Sequence, residues 1–213
     1  MMTTTEKGRR RQRALFDFLG QYAAATTDQL ATLIWGGNGR LARQHLLAYT
    51  RAGHLRRLPH PLFRNGAYVY TRRQSATSHT QKVLHHLSEV DFYLAVVRHL
   101  GHYGARTVAE MEWGQGLVPD QTVIWRDAVW AVEHHLSGQF GHAGDYQRFM
   151  EEEGYVLSHW WRERLKMGLL VITSGAGAVD HVVAQLKRYT PPGLVWRVGT
   201  REAVLKDPGS WLK

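Results

Sequence analysis

Asp120 and Glu133 are the residues of this chain whose type and spacing best suit chemistry. Asp120 stands in Val118-Pro119-Asp120 and Glu133 in Val132-Glu133-His134-His135, inside two strand-like runs, 117–125 and 128–136, joined by a turn at Arg126-Asp127. Adjacent antiparallel strands of a twisted sheet bring such side chains close together. Two carboxylates so placed would bind Mg²⁺ or Mn²⁺ and position a water for phosphodiester hydrolysis. Pro-Asp also serves ordinary turns, which leaves a plain structural role open for Asp120.

The elements that must position this pair form an alternating series. A strand-like run at 107–113 precedes the two already named. After them come a helix at 144–161, a buried strand at 168–174 around Leu169-Leu170-Val171-Ile172, a helix at 178–189 and a strand at 194–198. A long helix leads in, since Val83, Leu87, Val90, Leu94 and Val97 keep spacings of four and three as far as Gly101. Two heptads are short for a coiled coil, so this seam is expected to pack on the following sheet. The order is αβββαβαβ. Glu151-Glu152-Glu153 reads as solvated surface, with a break of the 144–161 helix at that point as the alternative.

The first third has a different character. Ala42, Leu46 and Tyr49 fall on one face of a helix, with Arg40, Arg43, Gln44, Leu47 and Arg51 largely elsewhere on the wheel. Gly53 suits a left-handed cap, and a strand from Leu55 returns, after a turn at 59–66, through 67–71. Upstream, Thr26-Thr27-Asp28-Gln29 caps a helix at 28–35 whose expected buried side is Leu30, Leu33 and Ile34. Residues 1–8 are expected to fray, with Arg9-Arg10-Arg11-Gln12-Arg13 leading into a helix at 14–19. The Gly36-Gly37-Asn38-Gly39 turn lacks the Lys and Ser/Thr of a phosphate-binding loop. Helix, turn, helix and basic hairpin in this order read as a winged helix-turn-helix. Arg40, Arg43, Gln44 and Arg51 are then expected in the major groove, with Arg43 or Gln44 meeting a base edge. Arg56, Arg57, Arg64, Arg72 and Arg73 would hold phosphates in or beside the wing.

Composition supports this division. The chain of 213 residues carries a net charge of +9. Residues 1–82 hold fourteen basic and three acidic residues, a net of +11, which leaves −2 for the remainder. A polyanion is the natural partner of that first third. No run of about 18 apolar residues and no signal-peptide core is present, so a cytoplasmic protein without membrane contact is expected. With 0 Cys there is no disulfide and no thiolate zinc site, and the 13 His are read as packing and polar surface.

The Asp120 and Glu133 pattern resembles the PD-(D/E)xK nuclease superfamily. That resemblance implies a metal held by Asp and Glu and a Lys two residues after the Glu; His135 stands at the Lys position, and Glu89 or Asp91 at that of an extra carboxylate. Imidazole is largely uncharged near neutral pH and supplies no fixed cation, which favours a degenerate nuclease scaffold. Taken with the winged helix, Leu84-His85-His86-Leu87-Ser88-Glu89-Val90-Asp91, Val118-Pro119-Asp120 and 132–138, residues 10–175 look like the replication-relaxation family of plasmids and mobile elements. Membership would imply DNA binding at an origin or transfer region.

The sequence thus predicts an α/β (α+β) protein: a winged helix-turn-helix domain at 1–76, then an αβββαβ restriction-endonuclease-like domain at 77–213. It predicts double-stranded DNA as partner, with a homodimer and replication or transfer proteins as further candidates. No cofactor is required; Mg²⁺ or Mn²⁺ on Asp120 and Glu133 belongs to the alternative of a metal-dependent endonuclease using Asp120, Glu133 and His135. A winged-helix transcription regulator is the third reading.

Overall fold

The computed structural model describes residues 4–63, 67–72, 80–101, 104–113, 116–135, 140–152, 166–189 and 194–213. It is a mixed α/β structure with helices and two sheets, and it divides into two compact units, Met1–Leu94 and Ala95–Lys213. The division falls inside a helix, downstream of the polar 72–81 segment; residues 73–79 lie outside the described residues.

In the first unit, helix α1 (Thr4–Gln21) buries Leu15 and Leu19. It starts well before the expected 14–19, because arginine and glutamine sustain a helix and Glu6 sits favourably in its first turn. A short strand β1 (Ala24–Thr26) follows, then α2 (Thr27–Trp35) and α3 (Gly39–Arg51). Thr26 caps α2 with a reciprocal pair: Gln29 N donates to its hydroxyl at 3.2 Å and Gln29 Oε1 accepts from Thr26 N at 2.8 Å. The buried side of α2 is Gln29, Leu30, Ala31 and Trp35; Leu33 and Ile34 are only half-buried, one step round the wheel from expectation. Gly36, at φ 59°, closes α2 in the left-handed region, and Asn38 accepts Leu41 N to open α3.

Ala42 and Leu46 anchor α3 with no exposed surface, while Tyr49 is half-buried and joins a line of rings. Trp35 stacks on His45 at 5.8 Å, His45 on Tyr49 at 6.2 Å, and Tyr49 meets Phe16 edge-on at 5.4 Å, tying α1, α2 and α3 together. Strands β2 (Arg56–Pro59) and β3 (Tyr68–Thr71) pair antiparallel, and β1 adds to the other side of β3, giving the order β1-β3-β2. β2 is an edge, and its exposed arginines and Pro59 suit a strand that must not recruit another. Helix α4 (Thr80–Leu100) lays Val83 and Leu87 against Ala24 and Val69.

The second unit is built on strands β4 (Ala105–Ala109), β5 (Gln121–Trp125), β6 (Ala128–His135), β7 (Lys166–Thr173) and β8 (Val195–Thr200), in that spatial order. The first three run antiparallel as a meander, and β7 and β8 lie parallel to β6. Helix α5 (Ala143–Glu152) lies between β6 and β7, and α6 (Ala176–Tyr189) between β7 and β8, the crossovers that parallel strands require. Two short helices, α7 (Arg201–Lys206) and α8 (Pro208–Trp211), end the chain. The expected αβββαβαβ order is present from α4 to β8.

One sheet face carries Ala131, Leu169 and Val171 against Phe140, Tyr146, Phe149, Val182 and Leu186. In the β6–β7 ladder Gly168 stands opposite Trp130, and a Cβ there would come within 2.4 Å of the indole. Two strand boundaries differ from expectation. Glu110, at φ 49°, turns the chain out of β4 before 113. β5 begins at Gln121, not 117, since Pro119 has no N–H for a ladder; Asp120 therefore precedes the strand instead of lying on it.

Candidate nucleic-acid interface and carboxylate cleft

The first candidate surface belongs to the first unit. Arg40, Arg43, Gln44 and Arg51 are all exposed along α3, at the spacings that make one helical stripe. Arg56 and Arg57 are exposed on β2. Arg43 and Arg57 line one cleft of about 400 Å³, with Tyr68 and Tyr70 beside them and Thr27 and Asp28 at the start of α2. The Arg57 guanidinium sits 4.2 Å over the Tyr68 ring, which holds its charge in place without neutralising it. Arg72 is exposed but anchored: its guanidinium lies 4.8 Å over Phe16 and Nη1 donates to the Phe16 carbonyl at 3.3 Å. Arg64 and Arg73 lie outside the described residues. From 29 to 88 the chain has nine basic residues and no carboxylate.

Glu89 and Asp91, on α4, are engaged within this unit. His85 Nε2 and His86 Nδ1 reach the buried Glu89 carboxylate at 2.9 and 3.3 Å. Burial pushes the Glu89 pKa up, but the hydrogen bonds and charges of these two imidazoles outweigh it and leave it lowered. Asp91 Oδ1 accepts Gln29 Nε2 at 2.8 Å, tying α2 to α4.

The second candidate lies at the end of β6. The β5–β6 ladder pairs Gln121 with Val132, so Asp120 stands one step beyond it, opposite Glu133. Asp120 Oδ2 accepts the backbone N–H of His134 at 2.7 Å. Glu133, two residues along from Ala131, shares the face packed by α5, and its Oε1 accepts the Tyr146 hydroxyl at 2.6 Å. Burial, then the charge and hydrogen bond of Glu133, then the charges of Asp120 and Asp145 raise the Tyr146 pKa well above 10.0. This phenol is a fixed donor. His134 turns the other way and meets Gln121 Oε1 through Nε2 at 2.8 Å.

A cleft of about 290 Å³ opens on Glu133, lined also by Val118, His142, Asp145 and Arg148. Arg148 Nη2 lies 3.8 Å from Asp145, and His142 Nδ1 3.2 Å from it. His135 has its Nε2 buried without a hydrogen-bond partner among the described residues. Burial chiefly lowers its pKa, the charges of His142 and His181 add to that, and Asp120 opposes it. His135 is therefore a neutral ring at pH 7.

The sequence paired Asp120 with Glu133 and missed Tyr146. The signal was available, because Ala143, Tyr146 and Phe149 at spacings of three mark the buried face of α5. A divalent ion seated on Asp120 and Glu133 would have to compete with the His134 amide and the Tyr146 hydroxyl for Oδ2 and Oε1. An ion there would therefore be held by carboxylates that the protein already orients through one oxygen each. Among the described residues no helix is long and apolar enough to cross a membrane. No family model, curated protein or solved structure matches this chain.

Proposed function

We propose that this chain is a DNA-binding protein whose first unit docks as a winged helix-turn-helix, with α3 in the major groove and the β2–β3 hairpin on the flanking backbone. The observation that carries the reading is the exposed stripe Arg40, Arg43, Gln44 and Arg51 beside the exposed Arg56 and Arg57, within sixty residues, 29–88, that lack any carboxylate. Such a surface attracts phosphates, the Asp28 carboxylate in the cleft beside Arg43 and Arg57 being outnumbered by the arginines around it. Arg43 and Gln44 are the base-reading candidates; Arg56 and Arg57 are phosphate contacts.

The second unit is read as an αβββαβ nuclease-like scaffold without nuclease activity. Support comes from the order of its elements, from the protein donors already on Asp120 and Glu133, and from the neutral ring at position 135. From the sequence resemblance to replication-relaxation proteins we take the proposed setting, an origin or transfer region of a mobile element, with a second copy or replication and transfer proteins as proposed partners. A metal-dependent endonuclease is the second reading, favoured by the cleft that reaches Glu133.

The test is selection of duplex fragments by the purified full chain, with and without Mg²⁺ or Mn²⁺. If about five phosphates are neutralised, log K falls with log[salt] at a slope of roughly −4 to −5. Arg43→Ala or Gln44→Ala should relax sequence preference, at about 1–3 kcal/mol on the preferred site, whereas Arg57→Ala should weaken all sequences alike and flatten the slope. A full chain that binds no duplex even at low salt sinks the proposal. Cutting that needs the divalent ion and is lost in Asp120→Asn promotes the second reading.

A further inference from the structure

The tip of the β2–β3 hairpin carries two large apolar side chains where a basic surface would be expected to carry polar ones. Leu62 is 64% exposed and Phe63 62%, the two most exposed large hydrophobic residues among those described. Scattered apolar residues on a surface need no explanation, but an adjacent, strongly exposed Leu-Phe pair does. The pair is also held in position. The hairpin ladder runs past Pro59 and Tyr68 to a hydrogen bond from His60 N to the Ala67 carbonyl at 3.0 Å. Above that closure Leu62 N donates to His60 Nδ1 at 3.1 Å, and the His60 ring lies 4.7 Å from the Phe63 ring, tilted by 46°. Burial lowers the His60 pKa against the opposing charge of Asp91, which keeps Nδ1 available as an acceptor. Pro61 restricts the turn further.

We infer that Leu62 and Phe63 form a wedge that enters the minor groove of duplex DNA and unstacks a base step, kinking the duplex while α3 holds the adjacent major groove. This rests on the DNA-binding reading of the first unit and adds to it a mode of contact that base and phosphate hydrogen bonding do not supply. Apolar side chains inserted between base steps are a known way for proteins to bend DNA toward the major groove, by roughly 20–90°. Three features choose DNA as the occupant. The strand below the tip presents Arg56 and Arg57, and Arg57 is steadied on Tyr68, so phosphates can be held on the flank of an inserted side chain. The excess of arginine over carboxylate around the hairpin, with Asp28 near Arg57 and Asp91 near His60, favours a polyanion over a protein partner of mixed charge. Two side chains on a hairpin turn match a single opened step, while offering too little apolar surface to anchor the chain on a bilayer. Pyrimidine–purine steps such as TA unstack most easily, so they are the expected point of entry.

The test compares wild type, Phe63→Ala, Leu62→Ala, Phe63→Trp and Phe63→Lys in the full chain, on short duplexes with dyes at both ends and TA steps within. Affinity is read against salt concentration, and bending by energy transfer between the ends. Wild type should shorten the end-to-end distance. Phe63→Ala should bind on the order of tenfold more weakly, in line with the loss of one stacked ring, with an unchanged salt slope and little bend. Phe63→Trp should restore the bend. Phe63→Lys should steepen the salt slope without restoring it, which separates a wedge from one more phosphate contact. Because both positions are exposed, circular dichroism spectra should match wild type throughout. Wild-type binding with a bend that Phe63→Ala leaves intact overturns the wedge and leaves the DNA-binding proposal standing. Failure of wild type to bind any duplex at low salt overturns both. Two further results overturn the wedge: self-association without DNA that Phe63→Ala abolishes, or Phe63-dependent binding to anionic phosphatidylserine vesicles with no DNA bend.

Discussion

Replacing Tyr146 by Phe tests whether Glu133 is a structural carboxylate. The change removes one oxygen and leaves the ring that packs with Ala131, Phe149 and Leu169. The bond it deletes is short, at 2.6 Å, and both partners are buried, Tyr146 at 2% and Glu133 at 6% exposure. Hydrogen bonds to charged groups contribute about 1.5–3 kcal/mol, and burial of both partners limits how far water from the adjoining cleft can replace the donor. At roughly 2–4 °C per kcal/mol for a chain of this size, Tm should fall by about 3–12 °C. The assay is thermal and urea unfolding of wild type, Tyr146→Phe, Glu133→Gln and the double variant. In Glu133→Gln the phenol still meets an amide oxygen, but without charge assistance, so adding Tyr146→Phe should then cost only about half as much.

High pH supplies an independent check on the same bond. The folded-state pKa of Tyr146 is raised above 10.0, so its contribution is fully present below that value and is lost as pH rises through the folded one. Stability of wild type should therefore decline above about pH 10 more steeply than that of Tyr146→Phe. Equal losses in the Glu and Gln backgrounds, or a Tm unmoved by Tyr146→Phe, would refute the argument that this carboxylate is occupied by its own protein.

Gly168→Ala should lower the unfolding free energy by about 1–3 kcal/mol, read as a lower urea midpoint, because its Cβ would meet the Trp130 ring at 2.4 Å and both strands are buried; an unchanged midpoint would mean that the indole has room to move. Glu89 has a folded pKa lowered by His85 and His86, so its stabilisation is fully present above the ordinary value of 4.5 and is lost as pH falls through the folded value. Stability measured against pH should then drop less steeply below that value in Glu89→Gln than in wild type, and parallel curves would contradict the pairing.

What the sequence made legible was local. The α2 cap is spelled by Thr26 and Gln29 three residues apart, α3 by Ala42 and Leu46 one turn apart, and β6 and β7 by apolar runs of the right length. β1 was not legible, because Ala24-Ala25-Thr26 is three residues long with two alanines and shows no alternation; it is a strand only because β3 supplies partners for it. The start of β5 was misplaced by treating Val118-Pro119 as ladder residues when proline has no N–H to give. At the carboxylates, the sequence identified two residues that do lie together across the β5–β6 end, but not what they bind. Their partners, the His134 amide and the Tyr146 hydroxyl, are 14 and 13 residues away along the chain and are set by tertiary packing that no spacing rule encodes.

Charge constrains what the second unit can meet. Its cleft is walled by Glu133 and Asp145, with Arg148 at 3.8 Å from Asp145 and so partly committed to it. A phosphodiester approaching Glu133 would be repelled by the two carboxylates and attracted by Arg148, while His135, its pKa lowered chiefly by burial, adds no fixed cation. A divalent ion on the carboxylates would favour DNA in this cleft. Calorimetric titration with Mn²⁺ separates the cases: heat of binding that Glu133→Gln removes would admit DNA to the second unit. Without such a signal the proposed DNA contact would rest on the first unit, where the net charge through residue 82 is +11.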